Sequence, residues 1–300
     1  MNVVHINPKF TDLTKRQLIF DGKILLYTQA KSFQNLIGYA REIINEAFQG
    51  NDPETAQYTM SVEKFVETVA PMKTKFTNDH HTKELIRDVM IELGCDIDKT
   101  YFDVPRLRAV TSDAYLTAGV GYAYKAHRAT WYASPDMQVN YWLPVYDLAE
   151  EQTLSLYPQY WNKELPNNSE VYDYDEWVNV GRKEAINNIK QDTRVHPLPL
   201  QPVDLNNELR FVLSAGESLA FSSAYVHATA PNTSGKTRFS IDFRSVNIDD
   251  VINNVGAPNI DNRSTGTTLG DFFRCSDFER ISPDLVRLYP VRTKQQAIQA

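Results

Sequence analysis

From residue 31 to residue 94 apolar side chains return every three or four positions, the period of a helix with one buried face. In "KSFQNLIGYAREIINEAFQG" that face holds Leu36, Ile37, Ala40, Ile43, Ile44 and Ala47, with Ser32 placed to cap the start and Gly50 to stop the end. A second helix is predicted near 61–70, ending at Pro71, which has no amide hydrogen to carry the ladder on. "HHTKELIRDVMIELG" makes a third, with Leu85, Val89 and Leu93 in one stripe and a stop at Gly94. The first hundred residues are expected to be mostly helical.

Beyond residue 100 the period falls to two. "QVNYWLPVYDL" sets Val139, Tyr141 and Leu143 against Gln138, Asn140 and Trp142. "RFVLSAGESLAFSS" reads as two strand pieces around a turn at Gly216. "TRFSIDFRSV" alternates most cleanly, with Phe239, Ile241 and Phe243 on one face and Arg238, Ser240, Asp242 and Arg244 on the other. A polar, proline-bearing insertion, 162–207, interrupts the strands and carries a short helical core around "YDEWVNVGRKEAINNIKQD". Helices first and strands afterwards favour an antiparallel sandwich or barrel with helices on one side.

Composition narrows the function classes. The chain is 42% hydrophobic and 23% charged, the balance of a globular domain, and its 31 basic against 38 acidic residues give a net charge of −7. A nucleic-acid backbone or an anionic membrane asks for the opposite sign, so neither is expected as a partner; a small molecule is. With no long apolar run and no basic-then-apolar start, a cytoplasmic location is expected. Cys95 and Cys275 lie far apart and read as free thiols.

Six histidines limit any metal chemistry. His5 is terminal, His80 and His81 open a helix, and His196 precedes a proline in a loop. His127 and His227 differ, because both sit in strand-like, aromatic, weakly charged stretches. Arg238 and Ser240 follow His227 on the polar face of the strongest strand, where a guanidinium and a hydroxyl together suit a carboxylate. One region therefore offers candidate metal ligands, and a neighbouring strand offers an anion clamp.

Three segments, "AHRATW", "EEQTLSLYPQYW" and "GESLAFSSAYVHATAPNTSGKTRFSIDFR", stand in the order seen in the phytanoyl-CoA dioxygenase family of Fe(II)/2-oxoglutarate oxygenases. The chain resembles that family over roughly residues 100–246. The resemblance implies a double-stranded β-helix, or jelly roll, with flanking helices. It implies Fe(II), 2-oxoglutarate and O2 as cofactors, His127 and His227 as iron ligands, and Arg238 with Ser240 on the 2-oxoglutarate tail. A single domain over 1–300 is therefore expected, with the helical flank at 30–100, a jelly-roll core at 101–250 interrupted by the 162–207 insertion, and a weakly periodic C-terminal wrap at 251–300.

One position departs from the family. Residue 129, two after His127 and on the same face if the backbone is extended, is expected to be an aspartate that completes a facial triad; here it is Ala129. Fe(II)/2-oxoglutarate halogenases show the same replacement. Losing the carboxylate vacates one coordination position and removes one negative charge, and a chloride ion restores both. Ala129 is accordingly read as a halide site. Three alternatives stay open: a hydroxylase whose third ligand is substituted, Asp113 or Asp136 as the missing ligand, or a binding module without catalysis. Gln138 and Asn140 share a strand face with Trp142 and are expected to point at the co-substrate or halide. Tyr122, Tyr124, Trp131, Tyr132, Tyr141, Trp142 and Tyr157 read as core aromatics, while Arg106, Arg108 and Arg128 either meet an anionic substrate or lie on the surface.

Overall fold

Where the helical period is strongest, a layer of helices forms against a sheet. The computed structural model describes residues 3–117, 125–181 and 195–291. Its first stretch holds α1 (Asp12–Phe20), α2 (Lys31–Phe48), α3 (Val62–Asn78) and α4 (His80–Glu92). Five of the six expected positions of α2 are buried, and Ala47 lies at the margin of the core. Ser32 does not cap α2. The helix begins two residues earlier, with Ala30 at the cap position, and Glu92 of α4 accepts the amides of Lys31 at 2.9 Å and Ser32 at 2.6 Å. A carboxylate from a neighbouring helix thus meets the positive helix end.

Pro71 does not end its helix, because α3 continues through it to Asn78. Beyond the proline Met72 and Phe76 are buried, each stabilising by about 1.5–3 kcal/mol. Together they offset the roughly 3 kcal/mol that an interior proline costs. Asp79 caps α4 by accepting the His81 amide at 2.9 Å, and Gly94, at φ +75°, turns the chain where it was expected to.

The strands are β1 (Val4–Ile6), β2 (Ile24–Tyr27), β3 (Thr100–Phe102), β4 (Arg106–Val110), β5 (Val139–Pro144) and β6 (Leu154–Leu156). There follow β7 (Leu209–Arg210), β8 (Ser218–Ser222), β9 (His227–Thr229), β10 (Arg238–Asn247) and β11 (Phe273–Arg274). A major sheet runs β1-β2-β8-β5-β10-β3-β11, with β4 also paired to β10; a minor sheet runs β7-β6-β9. Among the described residues only β1 and β2 pair in parallel.

Strand alternation sorts the two faces of the major sheet. Val139, Tyr141, Leu143, Phe239, Ile241 and Phe243 join Leu36, Ile44, Phe65 and Val89 of the helices in one core. On the opposite face Trp142, Leu219 and Phe221 pack with Leu154 and Leu156 of the minor sheet. The layers are therefore helices, major sheet and minor sheet, as the pattern implied.

The C-terminal segment does more than wrap the surface. It adds β11 to the sheet edge and buries Leu269, Phe272, Cys275 and Ile281 in the main core. Its irregular backbone buries one residue at a time, which leaves no period to read. In the insertion, the helical core reduces to a short helix (Tyr174–Glu176) and a wide turn (Trp177–Gly181), and the rest of the expected helix lies outside the described residues.

Candidate metal centre

Between the two sheets lies a cavity of about 480 Å³, in the size range of small-ligand sites. His127 and His227 both line it. His227 opens β9, but His127 belongs to no strand and makes a single antiparallel bridge to His227. The two residues exchange backbone hydrogen bonds, His127 N to His227 O at 3.0 Å and His227 N to His127 O at 2.9 Å. Directly opposed residues project to the same side, and the two ring centroids lie 4.3 Å apart.

The tautomer of each ring follows from its neighbours. Nδ1 of His127 lies 2.7 Å from the Lys125 carbonyl, and Nδ1 of His227 lies 2.9 Å from the Tyr225 carbonyl. A carbonyl only accepts, so each Nδ1 carries the proton and each Nε2 carries the electron pair a metal needs. Burial pushes His227 down to about 4; burial and then the neighbouring His227 push His127 well below the usual histidine range. Both rings are neutral at pH 7, the ligating form.

Ala129 also lines the cavity. The strand expected through 127–129 is absent, since Ala129 starts a 3-10 turn, Ala129–Tyr132. Arg128 is extended, at φ −101° and ψ 144°, and that one step suffices to send residues 127 and 129 to the same side. Arg128 takes the opposite side and is 1% exposed, so it is neither a surface charge nor a substrate contact. It pairs with Asp261 at 3.0 Å and donates to the carbonyls of Tyr160 (2.7 Å), Lys163 (2.9 Å) and Ala224. Asp113 and Asp136 do not line the cavity, and among the described residues no cluster of three or more histidine, cysteine and acidic side chains is placed to hold a metal.

Arg238 enters the cavity wall from β10 with 4% of its surface exposed. Its Nη1 donates to the carbonyls of Gln152 at 3.1 Å and Thr153 at 3.3 Å, and its guanidinium lies 5.5 Å from the Trp142 ring centroid. Among the described residues its Nε has no acceptor; Ser240, two residues along the strand, does not line the cavity, and its fully buried Oγ has no partner either. Burial, reinforced by Arg108, lowers the guanidinium to about 10, so it remains charged at neutral pH. Asp242 acts on the guanidinium through space, but among the described residues no carboxylate is paired with it, and burying a cation so placed costs several kcal/mol. The Nε edge of Arg238 is a donor that a bound carboxylate would satisfy.

The rest of the cavity wall divides the expected residues. Asn140 lines the cavity; Gln138 does not, but is fully buried behind it and donates from Nε2 to Asn140 Oδ1 at 2.7 Å. Tyr132, Tyr141 and Trp142 line the cavity, Trp131 and Tyr157 are core, and Tyr122 and Tyr124 lie outside the described residues. Arg106 and Arg108 face the cavity, as does Arg244, whose Nη1 pairs with Asp103. Burial opposes the charge of Asp242, but Arg108 at 2.5 Å, followed by Arg244 and Arg106, holds its carboxyl well below the usual range. Sequence reasoning passed over His196, which lines the cavity with its Nδ1 3.1 Å from the Tyr132 hydroxyl, and also Tyr174, Trp177 and Asp271. Nothing local marks His196, since its place follows from how the insertion folds back. Asp242 stood in view on the polar face of β10.

No family model matches the chain, and no curated protein matches it. Among solved structures it is similar to EvdO2 from Micromonospora carbonacea var. aurantiaca complexed with 2-oxoglutarate, at 12% identity over 82% of this chain and 94% of that one, TM-score 0.43. The epimerase SnoN in complex with Fe3+, alpha ketoglutarate and nogalamycin RO is similar at 11% identity over 79% and 85%, TM-score 0.41. ThoJ, a non-heme monooxygenase, is similar at 13% identity over 72% and 70%, TM-score 0.39.

Proposed function

We propose that this protein is a non-haem Fe(II)/2-oxoglutarate-dependent oxidoreductase built on a double-stranded β-helix. Within that class we assign it as a halogenase that places chlorine on an unactivated C–H carbon of a small molecule. The observation that carries this reading is a cavity in which two neutral, carbonyl-anchored histidines and a methyl group stand together, with no third ligand among the described residues. Iron bound there with 2-oxoglutarate and O2 supplies the oxidising power to remove hydrogen from carbon.

The protein's own part is placement. His127 and His227 hold the metal through Nε2, and the Lys125 and Tyr225 carbonyls fix both rings. Arg238 and Ser240 receive the far carboxylate of 2-oxoglutarate. Ala129 leaves room for an anionic ligand and brings no charge of its own. Because His127 and His227 are both neutral and residue 129 brings no carboxylate, a divalent iron held there would take its balancing anions from 2-oxoglutarate and chloride. A hydroxylase with a substituted third ligand is the alternative, because the extended step at Arg128 would also aim a carboxylate at position 129 into the cavity.

Anaerobic addition of Fe(II) and 2-oxoglutarate is expected to give a weak visible charge-transfer band, absent in His127→Ala and His227→Ala. Chloride is expected to shift that band, and Ala129→Asp to abolish the shift. Incubation with O2, chloride and a panel of small metabolites is then read by mass spectrometry. A product that gains oxygen only, with no dependence on chloride, would refute halogenation and leave the hydroxylase.

A further inference from the structure

One wall of the cavity is a ladder of charge. In the antiparallel pairing of β4 and β10, Arg106 stands opposite Asp242 and Arg108 opposite Ser240. The side chains then link in the order Arg106, Asp103, Arg244, Asp242, Arg108. Arg106 Nη1 donates to Asp103 Oδ2 at 2.7 Å, and Arg244 Nη1 binds the same oxygen. Arg244 Nη2 lies 3.7 Å from Asp242, which Arg108 grips through Nε at 2.5 Å and Nη2 at 3.2 Å. All five residues line the cavity.

The ladder is asymmetric. Within it three guanidiniums face two carboxylates. The cations are also the more exposed members: Arg106 and Arg244 show 27% and 23% of their side-chain surface, while the Asp103 that binds both shows 3%. Among the described residues Arg106 donates only through Nη1, to Asp103 and the Val104 carbonyl. Among them Arg244 makes its side-chain hydrogen bond only through Nη1. The remaining donors of two arginines, held in place by one buried aspartate, open on the same cavity. A guanidinium fork of this kind suits a planar carboxylate.

We infer that Arg106 and Arg244 receive a carboxylate of the substrate, and that the substrate is a small monocarboxylate whose apolar body lies among Tyr174, Trp177 and Phe272. This assignment rests on the proposed function for its second occupant, since it leaves the Arg238 end to 2-oxoglutarate. Arg238 and Arg244 are six residues apart on one strand face, about 20 Å at strand rise, so the two anions do not compete. A single carboxylate adds a third negative group to the three guanidiniums of the ladder.

The test is calorimetric titration of benzoate, acetate and inorganic phosphate into the full chain saturated with Fe(II) and 2-oxoglutarate under anaerobic conditions. Benzoate is expected to bind more tightly than acetate or phosphate. Arg106→Gln is expected to weaken benzoate about tenfold or more while 2-oxoglutarate affinity stays within about twofold, because one charge-assisted pair is lost from one end only. Arg244→Lys keeps a charge on Asp103 but removes the fork, and is expected to do the same. Thermal melts identify any variant that fails to fold. If benzoate does not bind, or both folded variants bind it like the wild type, the clamp is overturned. Phosphate binding more tightly than benzoate would overturn the carboxylate assignment, and equal acetate and benzoate affinity would overturn the apolar body. Should the wild type not bind 2-oxoglutarate at all, the oxygenase reading falls separately. Benzoate titrated alone then still decides whether Arg106 and Arg244 hold a carboxylate.

Discussion

Replacing Arg238 tests whether its buried charge waits for a ligand or serves the fold. In the free protein the guanidinium has two carbonyl acceptors, both on Nη1, and an Nε with none. The edge carrying Nε can make two charge-assisted hydrogen bonds to a carboxylate, each contributing about 1.5–3 kcal/mol. Removing them costs about 3–6 kcal/mol of binding. Part of that is offset, because the variant no longer carries a buried cation in its free form. A net loss of about 3 kcal/mol remains, more than a hundredfold in the 2-oxoglutarate dissociation constant. Arg238→Met separates this from general damage. An apolar side chain of similar length in place of an unpaired buried charge is expected to leave the free protein as stable or on the order of 1 kcal/mol more stable. The assay pairs a 2-oxoglutarate titration, followed by the visible band, with melts recorded with and without the ligand. The wild type is expected to gain stability from 2-oxoglutarate, and Arg238→Met to gain none. A variant that melts several degrees lower yet binds 2-oxoglutarate normally would show that Arg238 holds the Gln152–Thr153 turn and nothing else.

Three further outcomes follow from packing. Asp261→Ala leaves Arg128 buried without its counter-charge and frees the Trp131 Nε1–H and Leu165 N–H donors, at 2.8 and 3.0 Å, so chemical denaturation is expected to show a loss of about 3–5 kcal/mol. Pro71→Ala restores an amide to an exposed position within α3 and is expected to raise stability by about 1–3 kcal/mol, read as a higher denaturation midpoint at unchanged slope. Burial works against the charge of Glu92, but the amides of Ser32 and Lys31 hold its carboxyl below the usual range. Its stabilising effect is therefore present above the ordinary carboxylate range and lost as pH falls through the lowered value. The stability difference between wild type and Glu92→Gln is expected to shrink on acidification, and a difference that grows would contradict the capping role.

Legibility in the sequence followed the regularity of the backbone. Alternation in β5 and β10 sorted most of the core from the cavity, because in a strand the side-chain direction is fixed by position alone, although Tyr141 and Phe243 also reach the cavity lining and Gln138 and Ser240 do not. It placed Asn140, Trp142, Arg238 and Asp242 on the cavity face. Helical period found α2 and α4 but misjudged Ser32 and Pro71, since both outcomes depend on partners distant in sequence, Glu92 in one case and the core beneath Met72 and Phe76 in the other. The pair His127 and Ala129 was legible although the strand supporting that reading does not exist; one extended residue gave the same direction. Gln138 was misplaced because its face was right and its depth was not. His196, Tyr174 and Asp271 were illegible, as they reach the cavity from irregular segments whose course no local period records.

The bridge between His127 and His227 joins residues one hundred positions apart through their own amides and carbonyls. Bringing two such distant points of a chain together normally counts against binding a metal between them, by an entropy that grows with the logarithm of the loop. Here the closure is part of the folded backbone before any ligand arrives. On the function proposed above, the two imidazoles would meet an incoming ion as a finished chelate, and its affinity would not be lowered by the need to gather them.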